Sequence, residues 1–150
     1  MWTTQETAVT ALPRERVWEA VRDLHTGALS YDGADRFELH GPFAVGTELT
    51  VTPEGQDPIR SRIDVLEDGR TYADVTDLGD VRLTFRYDLE DEPAGEAGGT
   101  RVRYSLTIDG AGADAAGPEL GPQISADFPE SLAALLAEAE RRAGRTTLDA

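Results

Sequence analysis

Residues 118–143 read PELGPQISADFPESLAALLAEAERRA, and the rest of the chain is legible once this stretch is understood. Leu120, Ile124, Phe128, Leu132, Leu135, Leu136 and Ala139 recur at steps of three and four, which lays them on one stripe of a helix. Asp127, Glu130, Glu138, Glu140, Arg141 and Arg142 take the opposite side, so the helix is amphipathic and needs a partner surface along its length. Gly144 supplies a stop. Pro129 falls inside the pattern, where it cannot donate to the carbonyl of Ser125 and crowds it. The spacing therefore predicts a kinked helix or two consecutive helices.

The partner surface lies upstream. Residues 2–11, rich in threonine and valine, read as a first strand. Pro13 suits the first position of a helix, and Val17, Trp18, Val21 and Leu24 give its apolar stripe, ending near Leu24. Residues 25–35 have no clear period and fit either a short second helix or a loop. From Asp35 the period changes to two. Residues 36–40 and 47–52 read as strands broken by the Gly41-Pro42 and Gly46 punctuation. Ile59, Ser61, Ile63 and Val65 then alternate against Arg60, Arg62 and Asp64, and residues 70–77 supply the hairpin partner.

Alternation is clearest where Val81, Leu83, Phe85, Tyr87 and Leu89 face Arg82, Thr84, Arg86, Asp88 and Glu90. It returns in Val102, Tyr104, Leu106 and Ile108 after an acidic, glycine-rich loop at 91–99. Residues 109–117, almost all glycine, alanine and aspartate, read as a flexible lead into the last helix. About seven antiparallel strands with one apolar face need a cover, and the terminal helix is the cover of sufficient length. The expectation is an α+β protein, a curved antiparallel sheet wrapped around a long C-terminal helix, forming one domain over residues 1–150.

With 29 acidic residues against 14 basic ones, all arginine, the formal charge is −15. Such a field repels phosphate backbones and anionic lipid, so no nucleic-acid partner is expected. There is no cysteine, which excludes disulfide frameworks, thiolate catalysis and iron–sulfur sites. Residues 1–6 lack the basic and apolar regions of an export signal, and no run approaches the roughly 18 apolar residues of a membrane span. The sequence is thus expected to be soluble and cytoplasmic, without membrane insertion.

Residues 11–18, Ala-Leu-Pro-Arg-Glu-Arg-Val-Trp, resemble the "APxxxVW" opening of the START-like, polyketide cyclase/dehydrase superfamily, also called SRPBCC or Bet v 1-like. Gly98-Gly99-Thr100-Arg101-Val102 resembles the family's "GGTRV" strand, and residues 128–140 resemble its closing helix. The resemblance spans nearly the whole chain. It implies a helix-grip fold with a hydrophobic cavity between sheet and long helix, in a family of lipid carriers, hormone receptors, aromatase/cyclases and co-chaperone-like activators.

Chemistry-bearing motifs are sparse. His25 and His40 have no metal-ligand spacing, so no metal or other cofactor is expected. Gly41 and Gly46 have the gap of a phosphate loop, but Thr47 and Glu48 stand where its lysine and hydroxyl belong. No GxSxG elbow appears. Arg62 is the candidate catalytic residue, because similar aromatase/cyclases place a cavity arginine on the corresponding strand; alternation puts it with Arg60 on the polar face. Tyr72, Phe85, Tyr87, Tyr104, Ile124, Phe128 and Leu132 are the candidates to line a pocket. On the two clearest strands only the hydroxyls of Tyr87 and Tyr104 are expected to be polar and inward.

Three functions fit. The first is binding of a small lipophilic molecule as a carrier or sensor. The second is a polyketide or aromatic cyclase or dehydratase using Arg62 and a cavity tyrosine. The third is an acidic protein-interaction domain of co-chaperone-like type.

Overall fold

The computed structural model describes residues 1–31, 33–92 and 99–149, with backbone only beyond Gly144. Strand β1 (Trp2–Thr10) leads into helix α1 (Arg14–Thr26). Strands β2 (Arg36–Leu39), β3 (Glu48–Thr52), β4 (Ile59–Glu67), β5 (Thr71–Asp77), β6 (Arg82–Glu92) and β7 (Gly99–Asp109) follow, then helices α2 (Ala113–Ser125) and α3 (Phe128–Asp149). The strands form one seven-stranded sheet in the order β1-β7-β6-β5-β4-β3-β2, every neighbouring pair antiparallel. Each strand from β2 to β7 thus pairs with its predecessor or successor, and β1 closes on the last strand.

Local chemistry explains the boundaries. Pro13 precedes α1 with an extended backbone, and Gly27 ends it in the left-handed region at φ 87°. A Cβ on Gly27 would lie 2.8 Å from the Phe37 carbonyl oxygen, so glycine is needed there twice over. Residues 27–31 and 33–35 form a loop rather than a second helix. A bulge at Asp64, where the register jumps between Ile63 and Val65, shifts the alternation late in β4. The tip of the β6–β7 connection, 93–98, including Gly98 of the "GGTRV" resemblance, lies outside the described residues.

The terminal stretch is two helices. Pro129 sits in the first turn of α3, where its missing N–H leaves no bond unmade, and the helix is interrupted by a turn at Ala126-Asp127 just before it. The lead at 109–117 is where the sequence reading is corrected, since α2 already begins at Ala113. Packing overrides the glycine-rich composition: a Cβ on Gly117 or Gly121 would come within 2.5 Å or 2.4 Å of Trp2, so the β1 indole is seated directly on the bare helix backbone.

Two apolar clusters form the core. One joins α1 and α3 to the sheet through Val17, Val21, Leu89, Val102, Leu132 and Leu135; the other lies under α2, around Leu83, Leu106, Ile108 and Phe128. Along α3, Phe128, Leu132, Leu135, Leu136 and Ala139 are buried and Glu130 is exposed, as the periodicity predicts. Glu138 is half-buried rather than exposed, and its carboxylate pairs with Arg141 one turn further along. Thr10 Oγ1 donates to Glu140 Oε2 at 2.9 Å, tying α3 to β1, and Arg142 pairs with Asp23 of α1. Among the described residues, no helix is long and apolar enough to cross a membrane.

Candidate functional site: a cavity between sheet and helices

The sheet register builds the site in three rungs. Directly paired residues of antiparallel strands point to the same face, so the pairings Leu66–Tyr72–Tyr87–Tyr104 set an aromatic rung across β4 to β7. Two residues along, Ile63, Asp74, Phe85 and Leu106 form the next. Thr76, Leu83 and Ile108 form the third, joined by Ser61, whose Oγ lies 2.6 Å from Thr76 Oγ1.

Over these rungs, where the two apolar clusters meet, lies a cavity of about 580 Å³. Its apolar wall includes Phe37, Val51, Leu83, Phe85, Ile124 and Phe128; its polar lining includes His25, Ser61, Asp74, Thr76, Tyr87 and Tyr104. Ile59 and Leu78, which are partly open to solvent, belong to the lining, as do Asp35 and Asp127. A smaller recess of about 280 Å³ adjoins it, sharing Asp35, Phe37, Tyr87, Tyr104, Asp127 and Ser131 and adding Tyr31 and Glu130.

Rings dominate one end. His25 stacks on Tyr72 with centroids 3.9 Å apart and touches Phe37 at 4.6 Å; Tyr87 and Tyr104 stack at 4.3 Å, and Tyr104 continues onto Phe128 at 4.2 Å. The Tyr72 hydroxyl donates to Asp74 Oδ2 at 2.7 Å. Asp74 is 4% exposed, and burial, opposed by that hydrogen bond and reinforced by the charge of Asp35, pushes its carboxyl up to about 7. Burial acts oppositely on His25, lowering it to about 4 against the favourable bond to the Val21 carbonyl. The imidazole is therefore neutral at pH 7, with Nδ1–H donating to Val21 O at 2.7 Å and Nε2 left as the acceptor. Burial also raises the phenols of Tyr72, Tyr87 and Tyr104, which stay protonated. Loss of water around its carboxyl, then the charge of Asp127, holds Asp35 above the usual carboxylate range.

The residues singled out from sequence separate into three groups. Phe85, Tyr87, Tyr104, Ile124 and Phe128 line the cavity together. Tyr72 and Leu132 are buried in the core behind the lining, Tyr72 acting through Asp74 and His25. Arg62 does not join them. It pairs across the sheet with Val75, on the face opposite Asp74, and its guanidinium meets Asp77 at 3.2 Å. His40 is likewise outside the cavity lining, with Nε2 2.7 Å from the Thr50 hydroxyl.

The expectation that two tyrosine hydroxyls are the inward polar groups holds for β6 and β7, but β4, β5 and α1 add Ser61, Asp74, Thr76 and His25. A signal for Asp74 exists in the sequence. In TYADVTD of β5, Tyr72, Asp74 and Thr76 share one side, and only the pairing of Tyr72 with Tyr87 reveals that this side is the inner one.

An antiparallel sheet gripped by a long terminal helix, with the cavity between them, defines the α+β helix-grip fold of Bet v 1-like proteins. Residues 1–140 match the family described as "Polyketide cyclase / dehydrase and lipid transport", and the chain belongs to that family. No curated protein sequence matches the chain. Among solved structures it is similar to the Zhui aromatase/cyclase from Streptomyces sp. R1128, with TM-score 0.66 and 20% identity over 94% of each chain. It is also similar to XoxI from Bacillus cereus, with TM-score 0.70 and 16% identity over 90% of this chain and 93% of the other. For Ara h 8.0201 the TM-score is 0.59 and the identity 18%, over 90% and 97%. At these identities the likeness concerns the fold.

Proposed function

We propose that this protein binds a small, mostly apolar molecule in the cavity between sheet and helices, as a carrier or sensor. The observation that carries the reading is the cavity itself: about 580 Å³ lies within the roughly 300 to 1,000 Å³ of small-molecule sites, and aromatic and aliphatic side chains make up much of its wall. Membership of a family that includes lipid-transport proteins supports it. Phe85, Tyr87, Tyr104, Ile124 and Phe128 are the contact residues in this reading, with Tyr72 and Leu132 holding the lining in place. The test is native mass spectrometry of freshly purified protein beside an Ile124→Trp variant, whose larger side chain intrudes on the cavity. A co-purified small molecule present in the parent and missing from the variant is the expected result; equal retention by both would place the ligand elsewhere.

A second reading, a cyclase or dehydratase, is favoured by one specific observation. Asp74 titrates near neutrality inside the cavity, where a carboxyl can exchange a proton with a bound molecule. Arg62, on the outer face, has no part in it. This reading requires a chemical change in the held molecule that Asp74→Asn abolishes while binding persists.

A further inference from the structure

We propose that the cavity selects a lipophilic cation, an amine whose positive end sits at Asp74 among the rings of His25, Tyr87 and Tyr104. Its apolar body would lie against Leu83, Phe85, Ile124 and Phe128. The inference rests on the reading above, that the cavity holds a small apolar molecule, and adds the charge of that molecule's polar end.

The polar atoms offered to a ligand at this end lack a positive partner. Asp74 is 4% exposed, accepts from the neutral Tyr72 hydroxyl, and has no arginine paired with it among the described residues. His25 is 3% exposed, and with Nδ1–H committed to Val21 O its Nε2 is an acceptor without a hydrogen-bond partner among the described residues. Asp35 and Asp127 add negative charge to the lining, Glu130 adds more in the adjoining recess, and neither lining contains an arginine. The chain has no lysine.

Ligand classes can be compared against this set. A carboxylate or phosphate would find hydroxyl donors on Tyr87 and Tyr104 but would lie beside Asp74, Asp35 and Asp127 with no cation to receive it. A wholly neutral molecule would leave any charge on Asp74 buried and uncompensated. An ammonium supplies donors to Asp74 and His25 and lies favourably on aromatic faces. A divalent metal is a poorer fit, because among the described residues no three ligating side chains converge.

The proposal has a definite pH dependence. The titratable groups around Asp74 are Tyr72 on its own strand, Tyr87 on β6, Tyr104 on β7, His25 on α1, and Asp35 and Asp127 ahead of β2 and α3. The phenols and the imidazole are neutral near pH 7, and the Asp74 carboxyl, held at about 7, changes charge there. A bound ammonium favours its ionised form, and the preference for a cation therefore grows as pH rises through about 7.

Calorimetric titration with decylamine, decanol and decanoate, three probes sharing one chain, tests this. Decylamine should bind about tenfold or more tighter than decanol, with decanoate weakest, and the amine preference should widen from about pH 6 to about pH 8. Asp74→Asn should erase the preference, with decylamine binding more weakly than to the parent and decanol, no longer leaving a buried charge uncompensated, binding at least as tightly as before. An Asp35→Asn, Asp127→Asn double variant should keep most of the preference; if it alone erases the preference, charge at those two residues rather than Asp74 is responsible and the proposal falls. It falls too if decanol or decanoate binds as tightly as decylamine, or if the preference ignores pH in the unaltered protein. Binding of none of the three would overturn the cavity reading together with this one, whereas decanol binding without an amine preference would overturn this one alone.

Discussion

Asp74 and His25 share the cavity lining yet respond to pH in opposite senses, and the signs decide what each does to stability. The Asp74 carboxyl is held at about 7 against an ordinary 3.8, so the native state prefers its neutral form. That preference contributes fully below about pH 3.8 and is lost as pH rises through about 7, by at most about 4 kcal/mol. For His25, lowered from 6.5 to about 4, the contribution is present above pH 6.5 and is lost as pH falls through about 4. Between those limits the slopes oppose one another and flatten the profile of the unaltered protein. Asp74→Asn keeps an acceptor for Tyr72 and removes the charge. It should be more stable than the parent by about 1 to 3 kcal/mol at about pH 8, with the gap closing toward about pH 4. Its own stability should then fall more steeply on acidification than the parent's, because the protonation of His25 is no longer opposed by that of Asp74. Urea unfolding across that range reads both effects, and a gap independent of pH would refute the assignment of the charge to Asp74. Sequence reasoning reached Phe85, Tyr87, Tyr104, Ile124 and Phe128 because their burial follows from period alone. It passed over Asp74 because a strand residue's inward direction depends on which strands pair, and over His25 because the α1 stripe was ended at Leu24, although His25 stands four residues after Val21 on the same face.

Among the elements, α2 is the one whose existence composition argued against. Gly117, Pro118, Gly121 and Pro122 all weaken a helix, by loss of backbone restraint or of a hydrogen bond. What α2 gains is contact: Trp2 of β1 lies on the two glycines, with the second apolar cluster beneath. Gly121→Ala would place a methyl 2.4 Å from the Trp2 ring, an overlap that should cost about 1 to 3 kcal/mol despite the better helix propensity of alanine. In a Trp2→Ala background the clash is absent, so the same substitution should be neutral or mildly stabilising. A double-mutant cycle by urea unfolding separates the cases, and equal effects in both backgrounds would show that the indole does not sit there. The strands, α1 and the later part of α2, from Pro118, were legible because side-chain period and punctuation are local; the first turn of α2, from Ala113, was not, because its stabilising partner is more than a hundred residues away in β1. Pro129 was legible in kind, and the structure shows that it begins a helix rather than bending one.

At the scale of the molecule, the outer face of the sheet is a surface of paired charges. Arg60 meets Glu48, Arg62 and Arg82 share Asp77, Arg86 meets Asp88, Arg101 meets Glu92 and Arg103 meets Glu90. Exposed pairs of this sort are worth about 0 to 1 kcal/mol each, so their consequence is less for stability than for what the surface can attract. Each of these arginines already faces a carboxylate, and the chain carries a net charge of −15 over the whole. A phosphate backbone approaching this face would have to displace an internal carboxylate for each contact, with long-range repulsion on the way in and no surplus of cations to release counterions. The expected outcome is no retention on immobilised duplex or single-stranded DNA at about 0.15 M salt, and none on lowering the salt, because weaker screening strengthens the repulsion. A column run at several salt concentrations reads this directly. Retention that grows as salt is removed would mean that some arginines exchange carboxylate for phosphate, and the outer sheet face would then have to be reconsidered as a binding surface.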